Sequence, residues 1–434
     1  IPGTVDVIDQ KRMEELQPQS LQDVLRTVPG VNIRGDEGGF GAIPNIGIRG
    51  LNPSRSSKVL LLEDGAPIQP SLFISNASYY SPPVERIGGI EVLKGASGLQ
   101  YGPSNIGGVV NYLTKTPSQG FKLTGKVGDY GYRLAEIEAG GKSSTNGAIG
   151  GINLIQSESN GYQGNGFKMY DILMKAGIEV GQNQWLSLKY THYDNNINTS
   201  YVGLRPAQYI NRSSDNPAPN DRFITQRNAV DINHSLELDS DTKINTLMYW
   251  SKLSRNYWRQ SIVKRTQDAT IFKACNVGSD CLVGRNREFQ MLGIDSRVNH
   301  TYKALGISNE AEFGVRFHTE SQINQLVSSK TLAYSGRVSL HENNQANSIA
   351  LYGQNRFLLT ENFALIPGVR VESYNQTRSN VITGKSGSAK NVETIPQIGA
   401  TWQLIPQAQV YGSIYKGFAP AQLATAIDDK GVDQ

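Results

Sequence analysis

From residue 121 to the end, the chain repeats one pattern: segments of ~10 residues in which apolar and polar side chains alternate, divided by polar turns. A period of two places alternate side chains on opposite faces of a strand. In Trp185–Tyr193, Leu186, Leu188 and Tyr190 share one face, and Ser187, Lys189 and Thr191 share the other. Leu365, Val369 and Val371 likewise oppose Arg370 and Glu372. Ile349, Leu351 and Phe357 oppose Tyr352, Gln354 and Arg356, and Ile398, Ala400, Trp402 and Leu404 oppose Gln397, Thr401 and Gln403. A soluble sandwich also alternates. Here the polar face carries long, charged or amide side chains, as a wet lumen would. Connections also alternate in length: short turns at 181–184, 239–242 and 405–408, and long loops at about 197–228, 259–287, 324–347 and 376–391. This is the grammar of a transmembrane barrel. Counting segments gives about thirteen strands.

No apolar run reaches the ~18–20 residues of a spanning helix, which says nothing against spanning strands. The 45 glycines and 20 tyrosines suit turn-rich antiparallel structure. The 42 basic and 38 acidic residues nearly balance, and no Lys/Arg block marks a nucleic-acid surface. The five histidines, His192, His234, His300, His318 and His341, lack metal-ligand spacing. His318 falls within a strand and could be lumenal. No catalytic constellation emerges, so the chain reads as a non-enzyme.

Residues 1–117 follow a different grammar, that of a mixed α/β unit. Val5–Ile8 reads as a short strand. Ser20 is a candidate N-cap with Asp23 as its reciprocal acid, and Leu21, Val24, Leu25 and Val28 form one apolar helix face. Pro29-Gly30 stops that helix, and Val31-Asn32-Ile33 follows as a strand. Val59-Leu60-Leu61-Leu62 suits a strand buried on both faces, directly after the polar tip Asn52–Lys58. Val84, Ile87 and Ile90 suggest a helix or turn. GGFGAIPNIGIRG lacks the Lys-Ser/Thr of a phosphate loop. Gly107-Gly108 predicts close packing at the base of the unit. Cys275 and Cys281 flank Gly278 in KACNVGSDCLV, which reads as a small disulfide-closed loop in an oxidising compartment, with a reduced surface pair as the alternative.

Three stretches in residues 1–117 carry a family likeness: LQDVLRTVPGVNIRG, NIGIRGLNPSRSSKVLLLEDGAPI and VERIGGIEVLKGASGLQYGPSNIGGVVNYLTKTP. They resemble the plug domain of TonB-dependent outer-membrane receptors. Residues 121–434 look like the first part of that family's barrel, with PGVRVESY and YKGFAPAQL as the matching stretches. The resemblance implies a mixed α/β plug inside a transmembrane antiparallel β-barrel of about 22 strands. On that reading the chain looks truncated at its C-terminus. It implies active import of a ferric chelate, driven by the TonB–ExbB–ExbD complex, with no cofactor and no direct metal ligand in the protein. The barrel would sit in outer-membrane lipid and lipopolysaccharide.

Within the family, GIRGLNPSRSSK most resembles the ferric dicitrate receptors, where a plug arginine at the place of Arg55 contacts the ligand. Guanidinium suits carboxylate oxygens, because its planar fork donates two parallel hydrogen bonds. Asn52, Ser54 and Ser56 would add neutral donors, and Phe73 and Tyr79 would pack on the ligand's apolar parts. Arg205, Arg212, Arg222, Arg259 and Arg265 are the candidates from the barrel loops, along with Arg285 and Arg287. Trp258 reads as an interfacial girdle residue. The resemblance also implies plug–barrel ion pairs, with Arg49, Arg86 and Glu91 as plug members and Glu372 as a barrel member. The rivals are a receptor for a catecholate or hydroxamate siderophore, and a passive porin or adhesin.

Overall fold

The computed structural model describes residues 3–35, 43–95, 99–116, 119–145, 147–199, 204, 206–211, 216, 218–265, 270–272, 280–304 and 306–427. Strand β1 (Gly3–Ile8) leads into helix α1 (Gln10–Leu16), where the Asp9 carboxylate caps Arg12 N at 2.8 Å. Sequence reading missed this helix, whose only buried side chain is Met13. Helix α2 (Leu21–Leu25) opens on the expected reciprocal box between Ser20 and Asp23. Strands β2 (Val31–Ile33) and β3 (Ile46–Ile48) pair with each other. Four further strands, β4 (Val59–Glu63), β5 (Ala66–Pro67), β6 (Ile87–Gly95) and β7 (Gly108–Thr114), join β1 in one sheet of order β1-β6-β7-β4-β5.

Strand β4 is buried along its whole length and runs parallel to β7. Val84–Arg86 forms a single 3-10 turn before β6. Gly108 sits at φ +139°, where a Cβ would stand 2.3 Å from the Leu93 carbonyl oxygen. Only glycine fits that crossing.

Next come β8 (Gly120–Gly128), β9 (Tyr132–Lys142), β10 (Ile149–Ser159), β11 (Phe167–Gly181), β12 (Gln184–Ile197), β13 (Arg222–Glu237) and β14 (Thr242–Gln260). A small hairpin, β15 (Ile262–Arg265) with β16 (Thr270–Phe272), interrupts them. The series resumes with β17 (Leu282–Ala304), β18 (Ile307–Ser329), β19 (Arg337–Leu358), β20 (Phe363–Asn380), β21 (Lys385–Ile405) and β22 (Ala408–Tyr415). Apart from the hairpin they form one 13-stranded sheet in sequence order, every neighbouring pair antiparallel.

The polarity of this sheet is inverted relative to a soluble protein. Phe313 is 62% exposed on the outer face, whereas Arg316 on the same strand is 2% exposed and Glu372 is fully buried. Leu351, Val369, Trp402 and Ile414 also face outward. An apolar exterior over a charged interior is the arrangement a lipid bilayer demands of strands. The interior is not a wet lumen along its length, because the small sheet packs within it. Leu134, Tyr193, Phe223 and Phe289 of the large sheet join plug residues Ile8, Leu21 and Tyr80 in one apolar cluster.

The expected long loops at 324–347 and 376–391 are not loops. Strands β18 and β19 continue through most of the first, and β20 and β21 through most of the second. Strands β17 and β18 are 23 residues each, where a tilted spanning strand needs about 9–11. The excess projects as a polar hairpin beyond the apolar band, and its polar composition resembles that of a loop. After β22 the chain turns inward and buries Phe418, Leu423 and Ile427 in a cluster with plug residues Leu72, Phe73 and Ile74.

Candidate functional site

The tip between β3 and β4 is held by its own backbone. Asn45 Oδ1 accepts from Arg55 N at 2.8 Å. Ser56 Oγ accepts from Ile46 N and donates to Pro44 O, both at 3.0 Å. Asn52 Oδ1 accepts from Ser54 N at 2.9 Å. Arg55 and Ser56 both adopt positive φ, 55° and 50°. Each such residue costs about 1–3 kcal/mol, so two in succession persist only because the surroundings fix them.

The plug segment 69–81 runs beside this tip, and Ser78 N donates to Arg55 O at 2.8 Å. It delivers Tyr79 into a ring of arginines. The Arg55 guanidinium lies 5.4 Å from the Tyr79 ring centroid and that of Arg255 lies 4.2 Å away. Arg287 Nη1 donates to the Tyr79 hydroxyl at 2.9 Å. Arg255 and Arg287 belong to β14 and β17, near the ends joined by the long connection, and they are direct cross-strand partners. Like charges placed opposite one another destabilise a sheet. Neither forms an ion pair among the described residues; Arg255 donates to Arg285 O at 2.9 Å and Arg287 to Asn324 Oδ1 at 3.1 Å. Burial alone would push the Tyr79 phenol up, but Arg255 and Arg287 outweigh it and hold the phenol below its ordinary value. The site therefore favours a negatively charged oxygen. Tyr80, next in sequence, lies 5.0 Å under Arg227.

A charged cluster below this ring locks plug to wall. Arg86 is fully buried, donating from Nη1 to Asp171 at 2.5 Å and from Nη2 to Glu63 and the Tyr80 hydroxyl. Lys189 reaches Glu63 at 3.2 Å, and Asp64 and Asp231 at 2.9 Å. Burial would raise the Glu63 carboxyl, yet Arg86, Lys189 and Arg227 hold it well below the usual carboxylate range.

Several expected site residues lie elsewhere. Phe73 does not face the apex; it is buried between His318 and Tyr374, with ring centroids 5.8 and 5.1 Å away. Ser56 is fully buried, and its hydroxyl is spent on the backbone of residues 44 and 46. Glu91 accepts from Asn111 within the plug at 3.0 Å instead of reaching the barrel. Arg49 is exposed and makes no ion pair among the described residues. Glu372 pairs with Arg316 and Arg370 of its own wall, at 3.1 and 2.7 Å; those arginines touch the plug through the carbonyls of Tyr101 and Leu99.

Arg222 donates to Pro219 O at 2.9 Å and Asp221 O at 3.0 Å beside Tyr334, and Arg259 lies over Tyr257 at 4.8 Å. Trp258 is buried with Leu282 and Val327, not displayed to lipid. Arg205, Arg212, Cys275 and the Arg265 side chain lie outside the described residues; Cys281 is buried and disulfide-bonded. Sequence reasoning missed Arg255 because it sought ligand groups in loops. The alternation in SRNYWRQ, which sets Arg255, Tyr257 and Arg259 on one face, was the available signal.

A plug packed against an apolar-skinned antiparallel sheet, with arginines gathered at the long-loop end, is the architecture of a plugged outer-membrane β-barrel. The "TonB-dependent Receptor Plug Domain" model matches residues 1–109, and the "TonB dependent receptor-like, beta-barrel" model matches residues 174–430. The chain belongs to the TonB-dependent receptor family and is an outer-membrane β-barrel. It is similar to the vitamin B12 transporter BtuB of Vibrio vulnificus, 40% identical over 112 residues, covering 26% of this chain and 18% of that protein. In fold it is similar to the ferric citrate transporter FecA in its unliganded form, with a TM-score of 0.84 at 20% identity over 98% of this chain and 65% of that one. The ferric-catecholate import receptor Fiu of E. coli K12 gives a TM-score of 0.76 at 18% identity over 97% of this chain and 70% of that chain. The ferripyoverdine receptor of Pseudomonas aeruginosa gives 0.78 at 17% over 97% and 57%. The chain thus spans under two thirds of the length of FecA.

Proposed function

We propose that the protein imports an anionic ferric chelate across the outer membrane, drawing energy from the TonB–ExbB–ExbD complex, and that the chelate is ferric citrate-like. The observation that carries this reading is the facing pair Arg255–Arg287, joined by Arg55 around the Tyr79 side chain. A wall does not place two guanidiniums opposite one another for stability, and a carboxylate-rich ligand supplies the missing charge. A low-dielectric surround strengthens such contacts relative to bulk water. Asn52 and Ser54 remain on the tip as neutral donors, and Arg259 stands on the same strand face as Arg255.

A second reading, a catecholate ligand, draws on the aromatic rings beside the arginines. Phe223 and Tyr257 lie edge to face at 5.3 Å, and Arg255 is 5.9 Å from Phe223. Calorimetric titration of the purified receptor with ferric citrate, a ferric catecholate and a ferric hydroxamate separates the two. Preferential citrate binding is expected, and an absence of heat with citrate overturns the proposal. A large steady single-channel current would instead favour a porin.

A further inference from the structure

Plug segment 69–81 is gripped at a second place, remote from the arginine ring. The carboxylate of Glu320, on the inner face of β18, accepts from four plug donors: Ser71 Oγ at 2.6 Å, Leu72 N at 2.8 Å, Phe73 N at 2.9 Å and Ile74 N at 2.7 Å. Three successive backbone N–H groups turned to one point form an anion-binding nest. Such nests ordinarily receive a ligand; this one is filled by the barrel's own side chain.

The carboxylate is aimed from behind. His318 Nε2 lies 2.9 Å from Glu320 Oε2, and His318 Nδ1 lies 2.8 Å from the Tyr249 hydroxyl. Glu320, His318 and Tyr249 are all buried. A carboxylate in such a place must be fully hydrogen-bonded, and five contacts meet that demand. The same segment is fixed elsewhere: Gln376 Nε2 donates to Phe73 O at 2.5 Å, and Gln69 Nε2 to Val59 O at 3.1 Å. Four residues separate Ile74, at the nest, from Tyr79, at the arginine ring. A strap pinned so closely on both sides has little slack.

We propose that Glu320, oriented by His318 and Tyr249, is a latch that pins the 69–81 strap to the barrel wall and thereby sets Tyr79 in the arginine ring, so that ligand occupancy and plug anchorage are coupled through one segment. The coupling rests on the chelate-binding reading given above; the latch itself does not. Glu320 is a positioning residue here, since it does not reach the ring. A chelate that bridges the arginines while packing on Tyr79 needs the strap in place, so binding at the ring favours the latched nest. Coupling of this kind is reciprocal, so loosening the latch must change affinity at the ring.

The test uses the receptor purified from outer membranes, with and without ferric citrate, and reads amide hydrogen exchange at Leu72, Phe73 and Ile74 beside chelate affinity. Glu320→Gln keeps the side chain's size but replaces one acceptor oxygen with a donor facing N–H groups. Expected are a tenfold or greater rise in exchange at the three amides and a roughly tenfold loss of affinity, with unchanged barrel mobility in unheated gels. Glu310→Gln, an exposed substitution on the same strand, should change neither. His318→Gln should produce a smaller version of both effects. Unaltered exchange in Glu320→Gln overturns the latch. Faster exchange with unaltered affinity overturns the coupling. Wild-type receptor that binds no ferric chelate refutes the proposed function, while the exchange result still decides the latch.

Discussion

Arg86 is the most exacting place to disturb the plug. Substituting Arg86→Met leaves a side chain of comparable length and removes the charge. Breaking a buried pair by deleting one partner costs about 3–5 kcal/mol, because the other charge is stranded. Two carboxylates face Arg86, but they do not suffer alike. Glu63 keeps Lys189 at 3.2 Å, whereas Asp171 has no other ion pair among the described residues. The expected loss is therefore one stranded charge, about 3–5 kcal/mol, and not twice that.

Acid adds a second readout. The folded Glu63 carboxyl is held below its ordinary value of 4.5, with burial opposing and Arg86, Lys189 and Arg227 prevailing. A depressed carboxyl contributes stability above its unfolded value, and loses it as pH falls through the folded one. Without Arg86 the folded value climbs, so acid should release the variant plug at a higher pH than wild type. Pulse proteolysis of the plug across a guanidinium series, at neutral and mildly acidic pH, reports both effects. The double variant Arg86→Met/Asp171→Leu should regain most of the loss, since an apolar replacement of a buried pair is often neutral or better. Equal midpoints for wild type and single variant, or a double variant weaker than the single, would refute the reasoning.

Other outcomes are expected at the arginine ring and the plug core. Arg55→Ala should weaken chelate binding by roughly 1–3 kcal/mol, measured by calorimetry. Arg255→Gln should weaken it by a similar amount while leaving the fold unharmed or slightly firmer, because the like-charge opposition to Arg287 disappears; a clear drop in denaturation midpoint contradicts this. In an alkaline absorbance titration, Tyr79→Phe should remove the earliest tyrosinate signal, since the arginines hold that phenol below its ordinary value of 10.0. Gly108→Ala should destabilise the plug by about 1–3 kcal/mol or more, through its positive φ and the Leu93 carbonyl, read by the same proteolysis assay.

The strand alternation was legible because a spanning strand has only two faces and each meets one solvent. The same signal showed which side chains face inward, as at Lys189, Arg370 and Glu372. It could not show what they meet there. The inward face of Glu372 suggests a partner in the plug, yet its ion pairs are with Arg316 and Arg370 on its own wall. Register brings residues far apart in sequence to hydrogen-bonding distance, and one chain offers no direct sign of register. The projecting hairpins of β18 to β21 look like loops in the sequence because beyond the bilayer both faces meet water and the period fades. The capped helix α2 and the buried β4 were local events and could be read locally. The Glu320 nest could not, because its anion and its donors lie about 250 positions apart, as in the 248 between Leu72 and Glu320.

The choice of ionic fastenings between plug and wall bears on how the cork is drawn. The apolar part of the seam, such as Tyr193 and Phe223 against Ile8 and Tyr80, resists separation in proportion to its area, at about 25 cal/mol per Å² uncovered. Charged fastenings behave otherwise once moisture creeps in: wetted pairs are worth only about 0–1 kcal/mol each, and both halves are content in water. Arg86, Lys189 and their acids thus make a joint that is stiff when dry and forgiving when flooded.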